Sequence, residues 1–241
     1  MNLSNIITRV KLKLGLINIA LPFENMDQVI TTIIQEITIP VFSQYNPVPD
    51  RLVCDTNDLE KIEKRETYET YLLPDFKNRK LLYVFDVNYD DSCLSGLGYF
   101  GGGFPLIAGN TINQAMLANA GASLMSTLLP KVTFLYEPPR KLRLYNMYYS
   151  AKVVISLGFE HDKSLASIPE TARESFMQLL LLDVKENLYP TLKQYSQINS
   201  AIGNIDLKID DWANAEQERR ELLNQWDDTY HLDIGPSMYY I

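Results

Sequence analysis

A chain of 241 residues, 46% hydrophobic and 22% charged, is long and apolar enough to bury a sizeable core as one large or two small domains. Its formal charge of −8 and pI near 4.9 argue against direct phosphate binding as its main task, because nucleic-acid binders carry a basic patch or a high pI. Two cysteines, Cys54 and Cys93, make neither a disulfide scaffold nor a CxxC pair, so free thiols are expected.

The first apolar residues are interrupted by Arg9, Lys11 and Lys13, which does not fit a secretory signal, and no stretch has the length of a transmembrane helix. Leu3, Ile6, Ile7, Val10 and Leu14 instead fall at helical spacing, with Gly15 as the stop. Asn25 or Asp27 caps a second helix carrying Val29, Ile30, Ile33, Ile34 and Ile37, and Pro40 is expected to end or kink it.

Arg51–Asp55 reads as a strand and the charged Asn57–Glu66 as solvated chain. Tyr68–Leu73 and Lys80–Val87 read as two strands paired around Pro74–Asn78, the second apolar on both faces. Glycines then mix with aromatic and aliphatic residues from Leu94 to Gly109, and a helix of small residues is expected from about Thr111 to Pro130. Lys131–Glu137, Lys141–Leu144 and Ala151–Leu157 follow as strands, with Pro138-Pro139 as a turn.

A long helix is expected from Ile168 to Gln197. Its apolar stripe is Ala172, Phe176, Leu180, Val184, Leu188 and Leu192, and Pro190 lies inside it. Ile205, Leu207 and Ile209 alternate as a short strand, and Asp211 caps a last helix, Trp212–Trp226. The order is α+β: a central, mainly antiparallel sheet flanked by N-terminal helices and a long C-terminal helical region. The expected divisions are 1–48, helical; 49–167, β-rich with the glycine loop and an inserted helix; and 168–241, helical with an acidic tail.

Chemistry is sparse. Gly96-Leu97-Gly98-Tyr99-Phe100-Gly101 matches GxGxxG, but the next helix starts too late to present its N-terminus to a pyrophosphate. Asp86–Asp90 opens like a calcium loop, yet Asp91 replaces the turn glycine and Leu97 the bidentate Glu. His161 and His231 lie in no metal-ligand spacing, and Asp210-Asp211 reads as a helix cap. No catalytic residue, metal or cofactor is assigned. An enzyme remains an alternative, as a small hydrolase using His161 with a distant Ser, Cys54 or Cys93. So does a peripheral membrane protein using the first helix and the glycine loop.

Several segments together resemble structural proteins of tailed bacteriophages. They are IPVFSQYNP (Ile39–Pro47), YLLPDFKNRKLLYVFDV (Tyr71–Val87), the glycine-rich loop, FLYEPPRKLRLYN (Phe134–Asn146), the long helix, and IDLKIDDWANAEQERRELLNQW (Ile205–Trp226). The resemblance is to ring-forming virion proteins of the neck, where head meets tail, or of tail ends. It implies a head–tail connector subunit of the virion, assembled in the host cytoplasm as a homo-oligomeric ring. Portal, neck or tail proteins would be its neighbours and DNA only passing cargo, with no membrane partner. A baseplate or tail-completion protein is the alternative within the class. Fifteen tyrosines suit such contacts. The residues expected at subunit interfaces are Leu97, Tyr99, Phe100 and Phe104 in the loop, with Trp212 and Trp226 on a helix lent to a neighbour or docked on its own domain.

Overall fold

A computed structural model describes residues 2–16, 25–77, 79–89, 132–145, 147, 152–195, 197–200, 203–206 and 209–229. In chain order the elements are α1 (Leu3–Lys13), α2 (Met26–Ile33), a π-helical segment (Ile34–Thr38), α3 (Ile39–Tyr45), β1 (Val48–Asp55), β2 (Glu60–Lys64), β3 (Tyr68–Leu72) and β4 (Leu81–Tyr89). They continue with β5 (Thr133–Glu137), β6 (Lys141–Tyr145), β7 (Lys152–Phe159), α4 (Arg173–Leu192), β8 (Gln197–Ser200), β9 (Gly203–Asp206) and α5 (Ala215–Thr229). The fold is α+β. Its residues divide into a helical unit, Met1–Val48 with Phe159–Asp233, and a β unit within Pro49–Gly158.

In the helical unit α1 ends as its glycine predicts. Gly15 takes φ +69°, Leu16 N–H reaches back to Lys11 C=O at 2.8 Å and Gly15 N–H to Leu12 C=O at 3.2 Å. This is a Schellman closure, and Leu16 is the buried apolar residue that accompanies it. Asn25 caps α2 by accepting the Gln28 N–H at 3.2 Å.

Of the two outcomes expected at Pro40, an end or a kink, the first does not occur: the helix does not end there but is locally distorted. The backbone widens into a π turn before the proline, in which Ile39 N–H donates to Ile34 C=O, and continues as α3. A proline has no N–H for the carbonyl four residues back and its ring collides with that group, so a wider turn is one way to keep the helix going.

The stripe on α4 forms as its spacing dictates. Phe176, Leu180, Val184, Leu188 and Leu192 are buried, together with Ile6, Val10, Ile30, Ile34, Ile39 and Phe42 from α1, α2, the π-helical segment and α3. Each such side chain contributes on the order of 1.5–3 kcal/mol of transfer free energy. Pro169 is extended, a 3₁₀ turn covers Glu170–Ala172, and α4 begins only at Arg173. It runs through Pro190 to Leu192 and does not reach Gln197, which opens β8. β8 and β9 pair antiparallel from Gln197↔Asp206 to Ser200↔Gly203. Ile209 belongs to a 3₁₀ turn (Ile209–Trp212), not to that strand. The last helix therefore starts at Ala215, later than the Asp211 cap implied, after Asp210 C=O accepts the Ala213 N–H.

The β unit holds two antiparallel sheets, ordered β1-β7-β4 and β2-β3-β6-β5. The expected pairing of Tyr68–Leu73 with Lys80–Val87 does not occur. β3 pairs with β6 instead, Tyr68↔Tyr145 through Leu72↔Lys141, and Leu73 N–H extends that ladder to Arg140 C=O at 2.8 Å. Pro74, with no N–H to donate, stands directly after it. Asn57–Glu66 is largely exposed, as its charges imply, and part of it is a strand. Glu60–Lys64 forms β2, an edge strand with a bulge between Lys61 and Glu63. Alternating charges and a bulge are how a sheet edge resists stray pairing, and the same charges make it read simply as solvated chain. β5 and β6 form the expected hairpin around Pro138-Pro139, a cis bond, with Phe134, Tyr136, Leu142 and Leu144 buried.

Candidate functional site

The sequence nominates a histidine, two cysteines and an acidic pair for chemistry, and a loop and two tryptophans for contact. His161 is buried. One ring nitrogen, Nε2, lies 2.7 Å from Asn46 C=O and must donate to it. Nδ1 is then the acceptor, at 3.0 Å from the Ser167 hydroxyl, which itself accepts the Asp162 N–H. The His161 N–H donates to Ser43 Oγ at 3.0 Å, and that hydroxyl donates to Ile39 C=O. Burial holds the imidazole below its usual pKa, against the pull of the Asn46 carbonyl and of Asp162. A neutral ring with both nitrogens engaged is a strut between the 161–167 loop and the end of α3.

Cys54 is half-buried on β1, and burial, helped by Asp55 and Asp58, pushes its thiol up to about 11. A thiol so rarely ionised is a poor nucleophile. Cys93 and His231 lie outside the described residues, as does Gly96–Gly101. Asp86–Tyr89, the start of the calcium-like run, is extended within β4 and does not curl around a centre. Asp210 and Asp211 are exposed in a 3₁₀ turn. Among the described residues no group of three or more His, Cys, Asp and Glu could hold a metal ion, and no helix is long and apolar enough to cross a membrane.

What the helical unit does build is a rigid frame for its surfaces. Asp183, fully buried in α4, accepts hydrogen bonds from Thr38 Oγ1 at 2.7 Å and Arg219 Nε at 2.6 Å. Burial pushes this carboxyl up while Arg219 and Thr38 pull it down. The three side chains tie the π turn, α4 and α5 together. Sequence reading passes over Asp183, although a signal exists: it sits three and four residues after Leu180 and Leu179, on the apolar stripe itself.

Trp226 docks α5 on the same frame. It is buried, edge-on to Phe42 and Tyr45 with ring centres 6.0 and 5.4 Å apart. Trp212 is half-buried against this core. α5 is thus docked on its own unit. Leu97, Tyr99, Phe100 and Phe104 lie outside the described residues.

Between α4 and α5 runs a groove of about 480 Å³, lined by Leu181, Leu182 and Leu222 and edged by Gln178, Lys185, Glu218, Glu221 and Gln225. Arg219 is turned inward to Asp183 and Arg220 is paired with Glu216 at 2.9 Å, so the outer surface of α5 is acidic. The exposed large apolar residues among those described are Leu12 on α1, Val53 on β1 and Ile62 on β2.

Among the described residues this geometry builds surfaces and the frame beneath them. Comparison with curated proteins gives no match. A family model described as bacteriophage ring protein matches residues 1–233. With almost the whole sequence matched, the chain belongs to the bacteriophage ring protein family and is a structural ring subunit of the phage particle.

Proposed function

We propose that this ring lies in the neck of the particle, as a head–tail connector between portal and tail proteins, and that it acts mechanically, without catalysis or cofactor. The observation that carries the position is charge. The chain is −8 overall, and Asp210, Asp211, Asp227 and Asp228 are exposed around α5. DNA sticks to proteins by trading its counterions for Lys and Arg contacts. A bore lined with carboxylates offers no such exchange, so packaged DNA slides past it.

Subunit contacts are proposed at the loop residues Leu97, Tyr99, Phe100 and Phe104 and at Trp212. Trp226 holds α5, the helix that follows Trp212, in place on its own unit. The mechanical reading is favoured by the engaged ring of His161 and the high thiol pKa of Cys54.

Position is tested by tagging the chain and imaging intact particles, alongside particles made without it. Density at the head–tail junction, with filled heads and separate tails when the chain is missing, is the expected result. Density at the distal tail tip, with heads joined normally, would overturn the neck position and favour the baseplate or tail-completion alternative.

A further inference from the structure

Two surfaces of the helical unit are opposite in charge, each around an apolar centre. On α1, Leu12 is 61% exposed, with Arg9 and Lys13 exposed beside it on the same face. Lys11 is not part of this set, because it pairs with Asp27. In the α4–α5 groove the half-buried Leu181, Leu182 and Leu222 are flanked by Glu218 and Glu221 on α5 and by Lys185 on α4. Two carboxylates against one ammonium leave the groove net negative, opposite two cations on α1.

We propose that the exposed face of α1 in one copy of this chain seats in the α4–α5 groove of a second copy, making the head-to-tail contact that closes the ring. The inference rests on the ring assignment and not on the neck position. A helix laid in a groove anchors through a few apolar side chains, here Leu12 against Leu181, Leu182 and Leu222. Charges at the rim set register and suppress wrong partners. Because the two surfaces differ, each copy offers one and receives the other, and repetition by rotation gives a closed ring, not a twofold dimer. Glu218 and Glu221 lie on the groove side of α5, as does Asp228 about two turns after Glu221, while Asp227 lies on another face and stays outside the contact.

Sedimentation velocity of the full chain over a concentration series tests the contact with three variants: Arg9→Glu/Lys13→Glu, Glu218→Lys/Glu221→Lys, and all four changes together. These side chains are exposed on one face each, and thermal melts check that folding is kept. Each double variant is expected to weaken association by about tenfold or more, and the fourfold variant to recover most of it. Mixing Leu12→Cys chains with Leu222→Cys chains, both with Cys54→Ser and Cys93→Ser, should give mixed disulfide dimers in preference to like pairs. Unchanged association in the double variants, no recovery in the fourfold variant, or a wild-type chain monomeric throughout would each overturn the contact. Rings that form regardless of these changes would remove this contact alone and leave the ring assignment standing.

Discussion

The carboxylate of Asp183, wholly inside the helical unit, is bonded at 2.6 Å by the Arg219 guanidinium, whose side chain is still 22% exposed. The two ends of the pair therefore differ in what they face once separated. Arg219 can turn to water or to Glu186, 3.5 Å away. Asp183 would keep only Thr38.

That asymmetry predicts an order of stabilities. Arg219→Ala leaves a buried charge unpaired and should cost about 3–5 kcal/mol. Asp183→Asn keeps the shape and frees an arginine that can reach solvent, so about 1–3 kcal/mol is expected. Asp183→Leu with Arg219→Met should fall closer to wild type than Arg219→Ala does, because no charge is left inside. Urea unfolding of the three variants gives the ranking, and equal losses for both single variants would mean that Asp183 finds another partner.

His161 should make stability depend on pH in a definite direction. Its folded pKa lies below 6.5, so in that window the unfolded chain binds the extra proton. Stability is then complete above about pH 6.5 and falls as pH drops towards the folded pKa. His161→Asn should flatten this slope between about pH 5 and 7 and lower stability by about 1–3 kcal/mol through its lost hydrogen bonds. Melting temperature against pH for both proteins is the measurement. A slope that survives in the variant would place the titration elsewhere.

The features legible in the sequence were those whose causes are local. Gly15 stops α1 because a left-handed residue is needed one step past the helix, and the α4 stripe follows from period alone. What was missed depends on partners far along the chain. β3 could as well have paired with β4, and only the ladder to β6 decides it. β2 reads only as solvated chain, because an edge strand is charged for its own protection. The groove between α4 and α5 was invisible, since its two walls lie some forty residues apart. The acidity of α5 was legible, but not that Arg219 turns inward and so takes one of its two cations off the surface.

Gly15 itself can be tested cheaply. A methyl group there meets nothing within 4 Å, so the cost of Gly15→Ala is conformational alone. At φ +69° that cost should be about 1 kcal/mol, and less for Gly15→Asn, which tolerates the left-handed region better. Urea midpoints for both variants, with unchanged slopes, would confirm it. Equal effects of alanine and asparagine would point to a cap that frays instead of straining.

The two tryptophans should separate folding from assembly. Trp226→Ala removes a buried ring that stacks edge-on with Phe42 and Tyr45, and a loss of about 3–5 kcal/mol is expected. Trp212, half-buried at the turn before α5, should cost clearly less when truncated. Its share in a subunit contact then appears as weaker association at nearly unchanged folding. Paired measurements of urea stability and sedimentation on each variant read out both quantities. If Trp212→Ala lowered stability as far as Trp226→Ala while rings of the folded protein formed normally, Trp212 would be core and not interface. If Trp226→Ala left stability unchanged, α5 would not depend on this ring for its docking, and Asp183 with Arg219 would be its main attachment.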